Sequence, residues 1–136
     1  MAVGVLVDAG FLVALVRRDD SHHLWARAQA QRSPPPWRTC EAVLSEAFHL
    51  IGSRGAPALQ TLLGRRALIV GFRLADDLEP VLRLMRKYAQ VPMSLADACL
   101  VRMSETIGEV ELLTTDTDFR NYRRHGRQAI PCAIPS

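Results

Sequence analysis

Short apolar runs alternate along this chain with longer stretches in which apolar residues recur at helical spacing. The run at residues 3–7 is short, β-branched and apolar throughout, which predicts a strand buried on both faces. Similar runs at residues 67–72 and 110–114 predict two further core strands. Residues 37–39 are a candidate for a short strand, and residues 129–134 for a weak last one. The pattern therefore predicts strands spread along the whole chain.

Helices are expected between these strands, and turn residues mark their ends. Three prolines after Ser33 end one helix, and the glycines at positions 52 and 55 mark a turn. The predicted helices cover residues 10–18, 22–31, 40–51, 58–66, 75–88 and 95–107. An order in which strands and helices alternate favours a parallel sheet covered by helices.

Four acidic residues lie at the ends of these apolar segments or inside them. Asp8 follows the first predicted strand, and Asp116 follows the one at residues 110–114. Ligands of parallel sheets gather at the carboxyl ends of the strands, so both acids are expected on one rim. Glu46 and Asp97 lie instead within apolar helical segments. Because carboxylates are rarely buried unless they are paired or metal-bound, the four residues together predict a shared acidic pocket.

Most of these acids also have an explanation that involves no site. Asp8 is a candidate cap for the helix that follows it, and Ser94-Leu-Ala-Asp97 matches a capping box. Asp116 suits a turn. Glu46 is the exception, because it lies in the middle of a predicted helix, too far from the helix start for capping. The pocket hypothesis therefore depends on all four acids taken together.

The composition fits one soluble globular domain over residues 1–136, since 49% of the residues are apolar and 23% are charged. A net charge of +3 and a pI near 9.1 permit a polyanionic partner without requiring one.

The three cysteines lack CxxC spacing, so neither a disulfide framework nor a zinc site is indicated. No apolar stretch reaches the ~18 residues that span a bilayer, and no signal-peptide pattern is present, so a cytoplasmic protein is expected.

The acidic motifs and their order resemble those of PIN-domain nucleases. VLVDAGFL surrounds Asp8, SLADA surrounds Asp97, and LTTDTDF surrounds Asp116, with Glu46 in a helix between the first two. The most similar subgroup is the VapC-type toxins of prokaryotic toxin–antitoxin pairs. The resemblance extends over essentially the whole chain and implies a PIN-like three-layer α/β/α fold with a central, mainly parallel sheet. Gly10 departs from the pattern, because many members carry Ser or Thr there.

The resemblance implies Mg²⁺-dependent cleavage of RNA, with Mn²⁺ as an alternative ion. Asp8 and Asp97 would be the metal ligands, since hard divalent cations favour carboxylate oxygens. Glu46 and Asp116 would complete the catalytic set. The ion would lower the pKa of the attacking water and stabilise the leaving oxygen. A second layer of side chains is expected to support the acids, namely Ser94, Thr115 and Asp118.

Partners are implied as well. Arg120, Arg123 and Arg124 follow the last acidic motif and are candidate RNA contacts, which would add affinity but little sequence preference. The resemblance also implies a homodimer and a cognate antitoxin, whose Arg or Lys side chain would enter the acidic pocket. The apolar helices at residues 42–51 and 58–63 offer a groove for a helix of the antitoxin.

Two other classes of function were weighed against the metal-dependent endoribonuclease. A catalytically silent PIN-like module that binds RNA or protein is expected to lose at least one acid, whereas this chain keeps all four. A phosphatase or receiver-like α/β domain would use Asp8, but Asp8-Ala-Gly10 lacks the second Asp of a phosphatase DxD motif. The chain has no GxGxxG or GxxxxGK phosphate-binding loop. The endoribonuclease is therefore the leading prediction.

Overall fold

The computed structural model describes residues 3–136 and has a parallel sheet at its centre. The strands are β1 (Gly4–Val7), β2 (Trp37–Thr39), β3 (Leu68–Val70), β4 (Val110–Leu113), β5 (Arg123–Arg124), β6 (Gln128–Ala129) and β7 (Cys132–Ala133). The central sheet has the order β3-β2-β1-β4-β7, and all of its strand pairs are parallel. The remaining strands, β5 and β6, form a separate antiparallel pair.

Helices flank this sheet, as predicted. They are α1 (Ala9–Val16), α2 (His23–Arg32), α3 (Glu41–Gly64), α4 (Leu78–Lys87) and α5 (Leu95–Ile107). The first of them, α1, packs against α2 and α3, whereas α4 packs against α5, and α5 also contacts β1. Two short 3₁₀ helices lie at Leu74–Asp76 and Thr117–Arg120. The three-layer α/β/α class with a parallel sheet is therefore confirmed.

The middle of the sheet contains the neighbouring strands β1 and β4, whose residues are mostly apolar and mostly buried towards the carboxyl ends. Leu6 of β1 lies opposite Leu112 of β4, and each is at most 1% exposed. Burying a leucine side chain stabilises the fold by roughly 1.5–3 kcal/mol. Because the two strands are parallel, their carboxyl ends meet at one edge of the sheet. At that edge the chain continues into Asp8 after β1 and into Thr114 after β4.

Helix α1 is held in place by Phe11, which is completely buried. The Phe11 ring makes edge-to-face contacts with Trp25 of α2 and with Trp37 of β2, at centroid distances of 6.2 and 5.3 Å. Aromatic pairs of this kind contribute about 0.5–1.5 kcal/mol beyond their buried area. The helix that begins at Asp8 is thus packed firmly along its first turn.

Two helices differ from their predicted bounds. The turn predicted at residues 52–55 is a kink inside α3, where Gly52 has φ 74° and the helix resumes and runs to Gly64. Glycine adopts this left-handed conformation at little cost, so the helix bends without ending. The helix predicted at residues 75–88 divides into the 3₁₀ turn and α4, which begins only at Leu78. Within residues 3–136, no helix is both long and apolar enough to cross a membrane.

Candidate active site

Asp8 lies at the junction of β1 and α1 and is only 6% exposed. Its Oδ1 accepts a hydrogen bond from the Ala9 N–H at 2.7 Å, so it caps α1. Its Oδ2 accepts a second hydrogen bond, from the Thr114 hydroxyl at 2.8 Å. The capping explanation for Asp8 is therefore correct, and it is compatible with a functional site, because the cap also fixes the direction of the carboxylate.

Asp97 occupies the first turn of α5 and is 9% exposed. The Ser94 hydroxyl, at the helix cap, accepts a hydrogen bond from the Asp97 N–H at 3.0 Å. The Asp97 carboxylate in turn accepts a hydrogen bond through Oδ2 from the Tyr122 hydroxyl at 3.0 Å. Ser94 thus positions the backbone of Asp97, and Tyr122 positions its side chain.

Asp116 begins the 3₁₀ helix at Thr117–Arg120, and its Oδ1 accepts a hydrogen bond from the Asp118 N–H at 2.9 Å. The Asp116 N–H donates to the Thr114 hydroxyl oxygen at 3.0 Å. Because that same hydroxyl donates to Asp8, Thr114 joins the two acids at the sheet edge. Thr114 is fully buried, so no solvent competes for these hydrogen bonds.

The three aspartates converge. Asp8, Asp97 and Asp116 each offer a carboxylate oxygen, and these oxygens all lie within 4.8 Å of one another. They line a cavity of about 380 Å³. The cavity wall contains Asp8, Gly10, Glu46, Leu50, Pro92, Ser94, Asp97, Thr115, Asp116 and Asp118. The structure therefore brings all four sequence-predicted acids to one pocket.

Glu46 differs from the three aspartates in its surroundings. It projects from α3, is exposed to solvent and lines the cavity from the helix side. It is not part of the group within 4.8 Å, which consists of the aspartates alone among the described residues. Its negative charge nevertheless contributes to the raised pKa of Asp8.

The electrostatics of Asp8 follow from burial. Desolvation raises the pKa of Asp8 from 3.8 to about 6, although the hydrogen bonds from Thr114 and Ala9 act in the opposite direction. The negative charges of Asp97 and Glu46 make smaller contributions to the same rise in pKa. A carboxylate in this position is therefore costly to ionise unless a cation joins it.

Asp97 experiences the same effects. Burial raises its pKa and the charge of Asp116 adds to the rise, whereas the hydrogen bond from Tyr122 lowers it. Burial, and after it the charge of Asp97, raises the pKa of the Tyr122 phenol, so Tyr122 remains a hydrogen-bond donor.

Three carboxylate oxygens within 4.8 Å of one another suit a hard divalent cation, which prefers oxygen ligands and would offset their repulsion. The residues present therefore fit Mg²⁺ or Mn²⁺.

The predicted supporting residues occupy different positions in the pocket. Ser94 and Asp118 contact the site through the hydrogen bonds with Asp97 and Asp116. Thr115 lines the cavity beside Gly10. A Cβ atom on residue 10 would lie 2.0 Å from the Thr115 Oγ1, so Thr115 occupies the space that a side chain at position 10 would need. A side chain at position 10 would therefore require the Thr115 side chain to move.

Two residues that contact the acids were missed by the sequence reasoning. Thr114 could have been found, because it directly follows β4 at the edge where the acids were expected. Tyr122 carries no comparable local signal, since it lies 25 residues from Asp97 and outside the acidic motifs. Only the folding of the segment after Asp116 brings its hydroxyl to the site.

The three arginines predicted to contact RNA differ in exposure. Arg120 is exposed, and Arg123 donates to the backbone carbonyls of Arg120 and Tyr122. Arg124 is only 8% exposed, and its guanidinium donates to the Gly108 carbonyl at 2.6 Å. The burial of Arg124 against the end of α5 argues against a direct contact with RNA. Arg120 and Arg123 stay predicted contacts.

The fold and site together define an α/β protein with a cluster of carboxylates at the carboxyl edge of a parallel sheet. The PIN domain family matches residues 5–125, so the chain belongs to the PIN domain family. Among solved structures, it is similar to Mycobacterium tuberculosis VapC20, described as a toxin that cleaves the sarcin-ricin loop. The TM-score is 0.76 at 24% identity over 85% of this chain and 92% of that one, which shows a shared fold. No curated protein sequence matches the chain.

Proposed function

We propose that this chain is a divalent-metal-dependent endoribonuclease and the toxin of a toxin–antitoxin pair. The observation that carries the proposal is the convergence of Asp8, Asp97 and Asp116 within 4.8 Å, at the carboxyl edge of a PIN-domain sheet. Buried carboxylates that repel one another cost stability, and binding a cation is the function that compensates for that cost.

Asp8 and Asp97 are the ligands that we assign to Mg²⁺, with Mn²⁺ as the alternative. They are the most buried of the four acids, and neutral hydrogen-bond donors fix their direction. When bound, the ion activates the attacking water and stabilises the leaving oxygen of the RNA phosphodiester. Asp116 contributes a third carboxylate oxygen at the same point.

The other pocket residues act on the water and the RNA. We assign to Glu46, which lines the cavity from α3, the role of accepting a hydrogen bond from the attacking water. Ser94, Thr115 and Asp118 line the same wall and maintain the positions of the acids. The silent PIN-like binding module is the alternative, and it would lack this metal-dependent chemistry.

RNA binding is supported by the charge of the chain and by its exposed arginines. The net charge is +3, and the exposed Arg120 is the last residue of the 3₁₀ helix that Asp116 caps. Contacts from Arg120 and Arg123 to phosphate would make binding weaker as the salt concentration rises. VapC20 cleaves the sarcin-ricin loop, which gives one RNA to test with this chain.

An antitoxin and a homodimer complete the proposed cytoplasmic system. Leu50 is 49% exposed on the wall of the acidic pocket, which gives a partner's helix an apolar contact beside the carboxylates. An Arg or Lys of the antitoxin would then replace the charge of the metal. Co-expression with an adjacent small open reading frame should restore growth and yield a complex. Toxicity that no adjacent small protein relieves would contradict this part of the proposal.

The nuclease activity is tested with purified protein and total RNA. Cleavage at defined sites is expected in Mg²⁺ or Mn²⁺ and is expected to stop in EDTA. Asp97→Asn should reduce cleavage to the level seen in EDTA, because it removes one charge from the ion's ligands without changing the size of the side chain. Sequencing of the cleaved ends identifies the target. Cleavage by Asp97→Asn at the wild-type rate would refute the assignment, and RNA binding without any cleavage would favour the silent module.

A further inference from the structure

Tyr122 is a buried polar residue that the proposed chemistry does not use. Its side chain is completely buried, yet its hydroxyl donates to the Oδ2 of Asp97 at 3.0 Å. Buried tyrosine hydroxyls need a hydrogen-bond partner, and here the partner is an acid of the pocket itself. The phenol therefore links the aromatic core of the protein to the candidate active site.

The ring of Tyr122 is held on two sides by other aromatic rings. Tyr88 and Phe119 contact it edge to face, with centroid distances of 5.1 and 5.2 Å. The Tyr122 N–H also donates to the Asp118 carbonyl at 3.3 Å, which ties its backbone to the segment that carries Asp116. With ring and backbone both fixed, the hydroxyl has one position relative to Asp97.

We propose that Tyr122 is a positioning residue that orients the Asp97 carboxylate for a divalent cation. The proposal builds on the proposed function, in which Asp97 is a ligand of that cation. By holding Oδ2, the phenol prevents rotation of the carboxylate and fixes the direction in which Oδ1 points. A hydrogen bond to a metal-ligating carboxylate typically changes metal affinity by roughly 10- to 100-fold.

The carboxylates of Asp8 and Asp97 accept hydrogen bonds from different parts of the chain. Asp8 accepts one hydrogen bond on each oxygen, from Ala9 and from Thr114. Tyr122 instead reaches Asp97 from a segment 25 residues further along the chain. The end of the chain beyond the last acidic motif thus contributes directly to the geometry of the pocket.

The test is Tyr122→Phe, which keeps the ring and removes only the hydroxyl. Mn²⁺ binding is measured by isothermal titration calorimetry on the full chain without RNA, and far-ultraviolet circular dichroism monitors the fold. We expect Mn²⁺ affinity to fall by roughly 10- to 100-fold. In RNA cleavage, the half-saturating Mn²⁺ concentration should rise by a similar factor, and turnover at saturating Mn²⁺ should return close to wild type.

Tyr88→Phe is the matched control. Tyr88 belongs to the same aromatic cluster, but its hydroxyl accepts from the Arg123 N–H and does not contact an acid. Its Mn²⁺ affinity should stay within about twofold of wild type. A double-mutant cycle gives a second test, because Tyr122→Phe should cause no further loss of affinity in an Asp97→Asn background.

The outcomes separate this inference from the proposed function. If wild type binds Mn²⁺ and Tyr122→Phe binds it equally well, the positioning role is refuted while the metal site stands. An equal loss in Tyr88→Phe would also refute it, since packing alone would then explain the effect. A wild-type protein that binds no Mn²⁺ would overturn both proposals.

Discussion

The acidic pocket has two sides that differ in construction. On the sheet side, Asp8 and Asp116 follow the ends of adjacent parallel strands and are joined through the buried hydroxyl of Thr114. On the helix side, Glu46 projects from α3 into solvent. The acids of the sheet side are fixed by hydrogen bonds and Asp8 is buried, whereas Glu46 is exposed to solvent. A fixed side suits a metal ion and an exposed side suits a water or substrate that must be exchanged, in line with the roles proposed for these acids.

Of the substitutions that test this difference between the two sides, Asp8→Asn should have the largest effect on RNA cleavage. Cleavage is expected to fall to the EDTA level, because the most buried ligand loses its charge. Stability should change in the opposite direction, since a folded-state pKa of about 6 against 3.8 means that ionised Asp8 destabilises the native state. The difference of about two pKa units corresponds to roughly 3 kcal/mol.

The pH dependence of the free energy of unfolding tests whether ionised Asp8 destabilises the native state. Protonated Asp8 supports the fold below about pH 4, and that support is lost as the pH rises through about 6. Urea unfolding of the wild type in EDTA should therefore show a decline in stability between these values that Asp8→Asn lacks. An excess of Mg²⁺ should restore wild-type stability at pH 7. Parallel stability curves for the two proteins would show that burial imposes no such cost on Asp8.

Thr114→Val should have the next largest effect, because it removes the hydroxyl that joins the two acids of the sheet side. Mn²⁺ affinity is expected to fall by roughly 10- to 100-fold. The free energy of unfolding should drop by about 1–3 kcal/mol, since the Asp116 N–H and an Asp8 oxygen each lose a partner. Calorimetry and thermal unfolding measure the two effects. Thr117→Val, on the exposed surface of the 3₁₀ helix, is the control. If Thr117→Val lost as much Mn²⁺ affinity and stability as Thr114→Val, the role of Thr114 in joining Asp8 and Asp116 would be refuted.

Glu46→Gln should have the smallest effect on binding and stability, because the residue is exposed. Stability is expected to stay within about 0.5 kcal/mol of wild type. Mn²⁺ affinity should change little, while turnover at saturating Mn²⁺ should fall by about 100-fold or more, as for loss of a group that orients water. Glu41→Gln, one turn earlier in the same helix, is the control for loss of charge. If Glu46→Gln lost Mn²⁺ affinity but kept its turnover, Glu46 would be a metal ligand and would not orient the attacking water.

The sheet side was the easier part to predict from the sequence. Asp8 and Asp116 follow apolar runs that were predicted as core strands of a parallel sheet, so their shared edge follows from that topology. Glu46 was recognisable because an acid in the middle of an apolar helical segment has no local explanation. In each case the signal lies within a few residues of the acid itself.

The remaining parts depend on contacts between distant segments. Tyr122 reaches Asp97 only after the chain has passed through the 3₁₀ helix, and nothing near Tyr122 in the sequence indicates that contact. Arg124 looks like a surface charge within an arginine-rich segment, but its guanidinium is buried by its contact with Gly108. The kink at Gly52 depends on one backbone angle, and a glycine in the sequence predicts equally well a turn that ends the helix.

Gly10 and Thr115 share a volume that holds one side chain. Since a Cβ on residue 10 would lie 2.0 Å from the Thr115 hydroxyl, a substitution at either position changes which residues the other can accept. The Ser or Thr that resembling proteins carry at the position of Gly10 would place a hydroxyl on this wall from α1. Here Thr115 places a hydroxyl on the same wall from the loop after β4. A side chain added at position 10 would displace that hydroxyl, so a substitution at one of the two positions is expected to need a matching change at the other.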